Sequence, residues 1–159
     1  TAKTLPSYQG GHSFLADVLQ NGEVVEKFFI PGEDVPKWKY LKGAKKELRT
    51  TKNGHQYTYS EGAMIFPDSL DKASRTIVTG EGGSSASRFK HVVQTKRGLR
   101  RLTPVELERL NMFPDNHTLL EGISDTKRAF FMGNALVVGV VEKLAQTLYE
   151  KIESLEPIG

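Results

Sequence analysis

The sequence predicts an α+β chain, strands and turns first and helices last, and three observations carry that prediction. Asn21-Gly22 lies between two apolar stretches, and Asn53-Gly54 repeats the signal between Leu48 to Thr51 and Gln56 to Tyr59. Asn-Gly tolerates the positive φ angles of a type I′ turn, so each pair signals a hairpin. From Thr103 onward, helix-start signals and a 3.6-residue apolar spacing take over.

The elements follow in order. Phe14 to Leu19 and Val24 to Ile30 flank the first Asn-Gly pair as strands. Leu48 to Thr51 and Gln56 to Tyr59 flank the second, with Tyr57 and Tyr59 on one face. Thr76 to Thr79 and Phe89 to Val93 read as two more strands, joined by the small, flexible stretch Gly80 to Ser87. Thr103 suits an N-cap, Pro104 the first helical position, and Glu106 a capping box at the positive end of the helix dipole. That helix should end near Met112, before Phe113-Pro114-Asp115, with Asp115 as a cap. A second begins at Ser124-Asp125 and breaks at Gly133-Asn134. A third runs from about Ala135 to Leu155, and Val137, Val141, Leu144, Ala145, Leu148 and Ile152 form a stripe expected to be buried.

The 159 residues contain no cysteine, which excludes disulfides, thiolate metal sites and a cysteine nucleophile within this sequence. The four histidines, His12, His55, His91 and His117, lack metal-ligand spacing and read as structural, so no metal is expected. The longest apolar run, Ala135 to Val141, falls short of the roughly 20 residues of a membrane span, and no membrane partner is expected. The net charge is +3, but it is uneven. Val35 to His55 holds seven cations against Glu47 alone, and Ser85 to Arg101 holds six cations and no acid, while the tail from Glu142 is acidic. Such segments form either a cationic face for phosphate or a solvated lysine-rich surface.

The stretch Arg100 to Asp115, reading RRLTPVELERLNMFPD, resembles the ninth conserved motif of DNA (cytosine-5) methyltransferases. Phe131 to Val141, reading FMGNALVVGVV, resembles the tenth, and Ser74 to Thr79 with the following glycines resembles the end of that family's target-recognition region. The resemblance is specific from about Ser74 to Leu148. It implies a β-rich target-recognition lobe, residues 1–99, followed by helices, residues 100–159, that complete a Rossmann-like methyltransferase domain dependent on S-adenosylmethionine. The family's Pro-Cys nucleophile and its glycine-rich cofactor loop are absent from this sequence. It is therefore expected to be the C-terminal portion, or the smaller subunit of a split enzyme, with an N-terminal catalytic half and double-stranded DNA as partners. A bacterial, cytoplasmic restriction–modification role is implied by the resemblance alone. The alternative is a non-catalytic DNA-binding module derived from the recognition region.

Site roles follow from the same resemblance. Asn134 and the backbone of Ala135 would touch S-adenosylmethionine at a helix N-terminus, unless Asn134 is simply an N-cap. Gly82, Gly83, Ser84, Ser85 and Arg88 would belong to a recognition loop in the major groove, with Arg88 on guanine, unless the loop is a plain hairpin connection. Lys37, Lys39, Lys96 and Arg101 would contact phosphate, unless Arg101 is simply an exposed arginine at a helix start. Arg100, Pro104, Glu106 and Gly133 are structural, and Trp38 reads as core.

Overall fold

A computed structural model describes residues 9–154. The expected helix end at Leu155 and the outer ends of both lobes lie outside the described residues. The element order is α1 (Leu15–Val18), α2 (Val35–Lys42), β1 (Lys45–Thr50), β2 (Gln56–Glu61), β3 (Val92–Thr95), β4 (Gly98–Arg101), α3 (Pro104–Leu110), α4 (Asp125–Asn134) and α5 (Val138–Glu153). The strands form two separate antiparallel pairs, β1 with β2 and β3 with β4.

The second Asn-Gly pair makes its hairpin. Gly54 has φ of +80°, and Gly54 N–H donates to Thr51 O at 3.0 Å. Register pairs Thr50 with Gln56, Arg49 with Tyr57 and Glu47 with Tyr59, so Tyr57 and Tyr59 do share a face. The first Asn-Gly pair makes none. Its flanks become α1 and a 3₁₀ turn at Glu26–Phe28, because their backbone groups pair elsewhere. Leu15 and Ala16 donate to Lys72 O and Leu70 O, both at 2.9 Å, and Ile30 N–H donates to Leu99 O at 2.9 Å. Buried Leu15 fixes this arrangement, since packing outweighs local turn preference. Thr76 to Thr79 is likewise no strand. It runs into a 3₁₀ turn, Thr79–Glu81, laid against α4. The strand expected at Phe89 to Val93 forms further on, as β3, and pairs with β4 across Lys96-Arg97.

Helices α3 and α4 start where the sequence indicated. Thr103 Oγ1 accepts from Glu106 N–H at 3.3 Å, and a Glu106 carboxylate oxygen accepts from Thr103 N–H at 2.9 Å. Ser124 Oγ accepts from Lys127 N–H at 3.2 Å. Asp115 is no cap. Its carboxylate takes Arg109 in a two-point pair at 2.7 and 2.6 Å.

The core joins Leu15 and Val93 to Leu102, Leu107, Ala129 and Met132. It therefore crosses the division at residue 99, with α1 and β3 packed among the C-terminal helices. Helix α5 departs most from expectation, because no residue in it is buried. Its apolar stripe is on the surface, with Leu144 67% exposed and Leu148 61% exposed. Val138 N–H donates to Asn111 O at 2.9 Å, which ties only the start of the helix to the end of α3. By length and composition alone, Asp125–Glu153 matches a membrane span. Residues 135–137 break it into two helices, and α4 buries Arg128, Ala129 and Met132 against protein.

Candidate functional site

The Arg-Leu-Thr-Pro segment builds a rigid corner. Arg100 lies on β4, and its guanidinium donates to both Glu106 carboxylate oxygens at 2.7 and 2.6 Å. Glu106 also accepts from Gln20 N–H at 2.9 Å, and Gln20 Oε1 accepts from the Thr103 hydroxyl at 2.6 Å. Pro104 occupies the first helical position, where its missing N–H leaves no hydrogen bond unmade. One buried carboxylate thus satisfies a strand, a helix cap and the N-terminal segment. The geometry gives Arg100, Pro104 and Glu106 structural contacts.

The glycine stretch packs against α4 at Gly82. A Cβ on Gly82 would sit 2.8 Å from Thr126 O, so the absence of a side chain lets the turn rest on α4. Gly83, with φ of +79°, offers its carbonyl to Arg101 at 2.7 Å and to Lys90 at 3.0 Å. Ser84 and Ser85 are exposed. Behind them, Glu81 is buried and one of its carboxylate oxygens accepts from both His91 N–H, at 2.5 Å, and the His91 ring, at 3.0 Å. The second ring nitrogen of His91 lies 3.0 Å from Ser74 Oγ.

Two arginines expected on DNA are turned inward. Arg88 donates to Leu41 O and Gly43 O, both at 3.2 Å, to Gly62 O, and pairs with Glu61 at 3.2 Å. It clamps the base of the β1–β2 hairpin, so its guanidinium is not free for guanine. Arg101 donates to Gly83 O and Lys27 O and lies over the Phe28 ring. The carbonyls of these turns lack strand partners, and long cationic side chains supply the donors. Lys37 and Lys39 are exposed on α2, and Lys96 is exposed at the β3–β4 turn. A surface groove of about 600 Å³ brings Lys37 together with Ser84, Ser85 and an edge of Arg101. Lys39 and Lys96 do not line it. Trp38 is buried, as its sequence context indicated.

Asn134 is the last residue of α4 and not a cap of α5, whose N-cap is Val137. Its amide donates to Phe130 O at 2.9 Å. The linking residues 135–137 are outside both helices, and Ala135 and Val137 face an apolar cleft of about 630 Å³ together with Met132, Ile77 and Met112. Asn134 and Leu136 are exposed. Gly133 is required by packing, since a Cβ there would fall 2.5 Å from the Val78 and Thr79 backbone.

Other residues at these junctions carried no signal that sequence pattern could resolve. Lys42 is buried and donates to Lys90 O at 2.6 Å and Arg88 O at 3.2 Å. Burial pushes its ammonium down to about 8, with Asp68 and Glu81 opposing and Arg75 and Arg88 reinforcing. Burial, then the Arg101 charge, also lowers Lys90. Buried Glu108 pairs with Arg128 at 2.9 Å and accepts from Asn116 N–H and Thr118 N–H at 2.7 and 3.0 Å. It folds the loop after α3 onto α4.

Similarities to known proteins bear on this arrangement. The chain is similar to Type II methyltransferase M.Sau3AI of Staphylococcus aureus, 42% identical over 155 residues, covering 98% of this chain and 36% of that protein. It spans about a third of the length of that curated relative. In fold it is similar to the Entamoeba histolytica methyltransferase EhMeth, with a TM-score of 0.61 at 15% identity, covering 94% of this chain and 44% of the other. It is similar again to the S. pombe Dnmt2 methyltransferase, with a TM-score of 0.60 at 17% identity, covering 91% and 44%. The family model for C-5 cytosine-specific DNA methylase matches residues 7–150, and the chain belongs to that family.

Proposed function

We propose that this chain is the target-recognising, fold-completing portion of a DNA (cytosine-5) methyltransferase whose nucleophile and principal cofactor pocket lie on a further segment. The observation that carries the reading is helix α5. It presents Val140, Val141, Leu144, Leu148 and Ile152 to solvent and buries none of its residues. A continuous apolar stripe of this kind marks a surface normally covered by protein. The sequence has no cysteine, and cytosine-5 chemistry needs a thiolate, so covering and chemistry call for the same missing segment. That segment lies on the same polypeptide or on a partner subunit.

The present residues suit the division of labour. Exposed Lys37, Lys39 and Lys96 offer charge to a duplex backbone, and Ser84 and Ser85 offer hydroxyls beside Lys37. The Asn134 carbonyl oxygen has no hydrogen-bond partner among the described residues, and Ala135 faces the neighbouring cleft. These two fit one wall of an S-adenosylmethionine site and leave the opposite wall to be supplied. When bound, S-adenosylmethionine provides the methyl group for C5 of a cytosine rotated out of the duplex. The corner at Arg100, Thr103 and Glu106 holds the recognition elements against the helices that line the cofactor side. Methylation at a short duplex site in a bacterial cytoplasm, as for a type II enzyme, is the corresponding role.

Reconstitution tests the reading. Mixed with a Pro-Cys-bearing catalytic portion of the related enzyme, the chain should form a one-to-one complex that transfers labelled methyl groups to duplex DNA. Neither component should do so alone. A chain that binds DNA selectively but never associates with a catalytic portion would instead be a stand-alone binding module.

A further inference from the structure

The two faces of the β1–β2 hairpin differ in a way that points to its use. Strand alternation and register put Lys45, Glu47, Arg49, Tyr57, Tyr59 and Glu61 on one face. Apart from exposed Tyr57, that face is satisfied internally. Lys45 pairs with Glu61 at 3.3 Å and Arg49 with Glu47 at 2.9 Å, Arg49 lies 3.6 Å from the Tyr59 ring centre, and Tyr59 donates to Glu61. The other face carries Lys46, Leu48, Thr50, Gln56, Thr58 and Ser60, paired 46 with 60, 48 with 58 and 50 with 56. All six are exposed, and among the described residues none of their side chains makes a hydrogen bond or ion pair. Leu48 is 69% exposed.

We infer that this second face reads base edges in the DNA major groove, with Gln56, Thr58, Thr50, Ser60 and Leu48 as specificity-determining side chains and Lys46 at the phosphate rim. The inference rests on the DNA-recognising role proposed above and assigns that role to a different element from the glycine stretch. The chemistry fits base edges. A glutamine amide pairs with adenine N6 and N7, hydroxyls donate or accept, and an apolar side chain covers a thymine methyl. A two-stranded ribbon is narrow enough for the roughly 12 Å groove. Charge agrees, because Lys46 and Lys52 on the hairpin and Lys37 and Lys39 on the preceding helix are exposed cations. The ribbon is also held for the task. Arg88 grips Leu41, Gly43 and Gly62 at its base, and Lys42 ties the end of α2 to the irregular segment that leads into β3. The inward turn of Arg88 thereby becomes support for a reading surface beyond it.

Selection from a pool of duplexes with a randomised core tests this on the 159-residue chain. The unaltered chain should enrich a defined sequence. Q56A/T58A should lose about 10-fold or more of its preference for that sequence over random duplex. Its thermal midpoint and salt dependence should not change, because both residues are exposed and uncharged. K46A should lower the slope of log affinity on log salt by about 0.9. Y59F, on the satisfied face, should keep the preference. Preference retained in Q56A/T58A, or duplex binding with no sequence enriched by the unaltered chain, overturns the inference and leaves the DNA-binding role standing. Absence of any duplex binding at low salt removes both.

Discussion

Arg100 and Glu106 form a two-point ion pair across the start of α3, with N···O distances of 2.7 and 2.6 Å and neither side chain more than 3% exposed. Removing one partner leaves a charge stranded among groups that cannot hydrate it. R100M should therefore destabilise the chain by about 3–5 kcal/mol. R100M together with E106L should recover part of that loss, less the cap and Gln20 contacts that Glu106 also makes. Denaturant unfolding of the three variants measures it, and a loss under about 1 kcal/mol for R100M would show that the pair is open to water.

Glycine substitutions separate packing from flexibility. A Cβ at Gly133 meets backbone at 2.5 Å, while one at Gly80 meets nothing within 4 Å. G133A should lower stability by about 1–3 kcal/mol, the usual range for overpacking, whereas G80A should be near neutral. Thermal unfolding of the pair decides, and equal midpoints would contradict the close approach of α4 to the turn at Thr79.

Lys42 predicts an alkaline effect. Burial lowers its ammonium from 10.5 to about 8, so the folded chain releases this proton before the unfolded chain does. Between those values the unfolded state holds more protons, and stability rises with pH across the window. Below about 8 both states are charged and the full burial penalty applies. Urea unfolding at the two ends of the window should show the rise. K42M should flatten it in part, because Lys90, also lowered by burial, contributes in the same sense. A slope unaltered by K42M would place the effect elsewhere.

The residues whose partners are close in sequence were the legible ones. Thr103 and Glu106 cap their own helix, Ser124 caps α4, and Gly54 turns a hairpin between adjacent strands. What misled was reach. Asn21-Gly22 reads as a hairpin until Leu15 and Ile30 find partners at Leu70, Lys72 and Leu99. Arg88 and Arg101 look like free cations until their guanidiniums meet turn carbonyls more than 17 residues away. The apolar stripe of α5 lies at the spacing the sequence indicates, but sequence alone did not show that none of its residues is buried.

Charge on DNA should follow exposure, not composition. K39A should weaken duplex binding across all sequences and reduce the salt slope by about 0.9, leaving stability unaltered. R101A should act through the fold, lowering the thermal midpoint, because its partners are Gly83 and Lys27 carbonyls. Anisotropy titrations over a salt series, paired with unfolding curves, distinguish the two. Equal salt effects from both variants would contradict the inward placement of Arg101.

The stripe on α5 provides the most direct measurement. Leu144 and Leu148 make no buried contact here, so L144D should alter the stability of this chain by no more than about 0.5 kcal/mol, yet abolish association with the catalytic portion. Hydrogen exchange along Val138–Glu153 should be fast in the chain alone and strongly protected once the catalytic portion is added. Exchange across that helix that is unaffected by the catalytic portion, in a mixture that nonetheless methylates DNA, would contradict the claim that this face completes the enzyme.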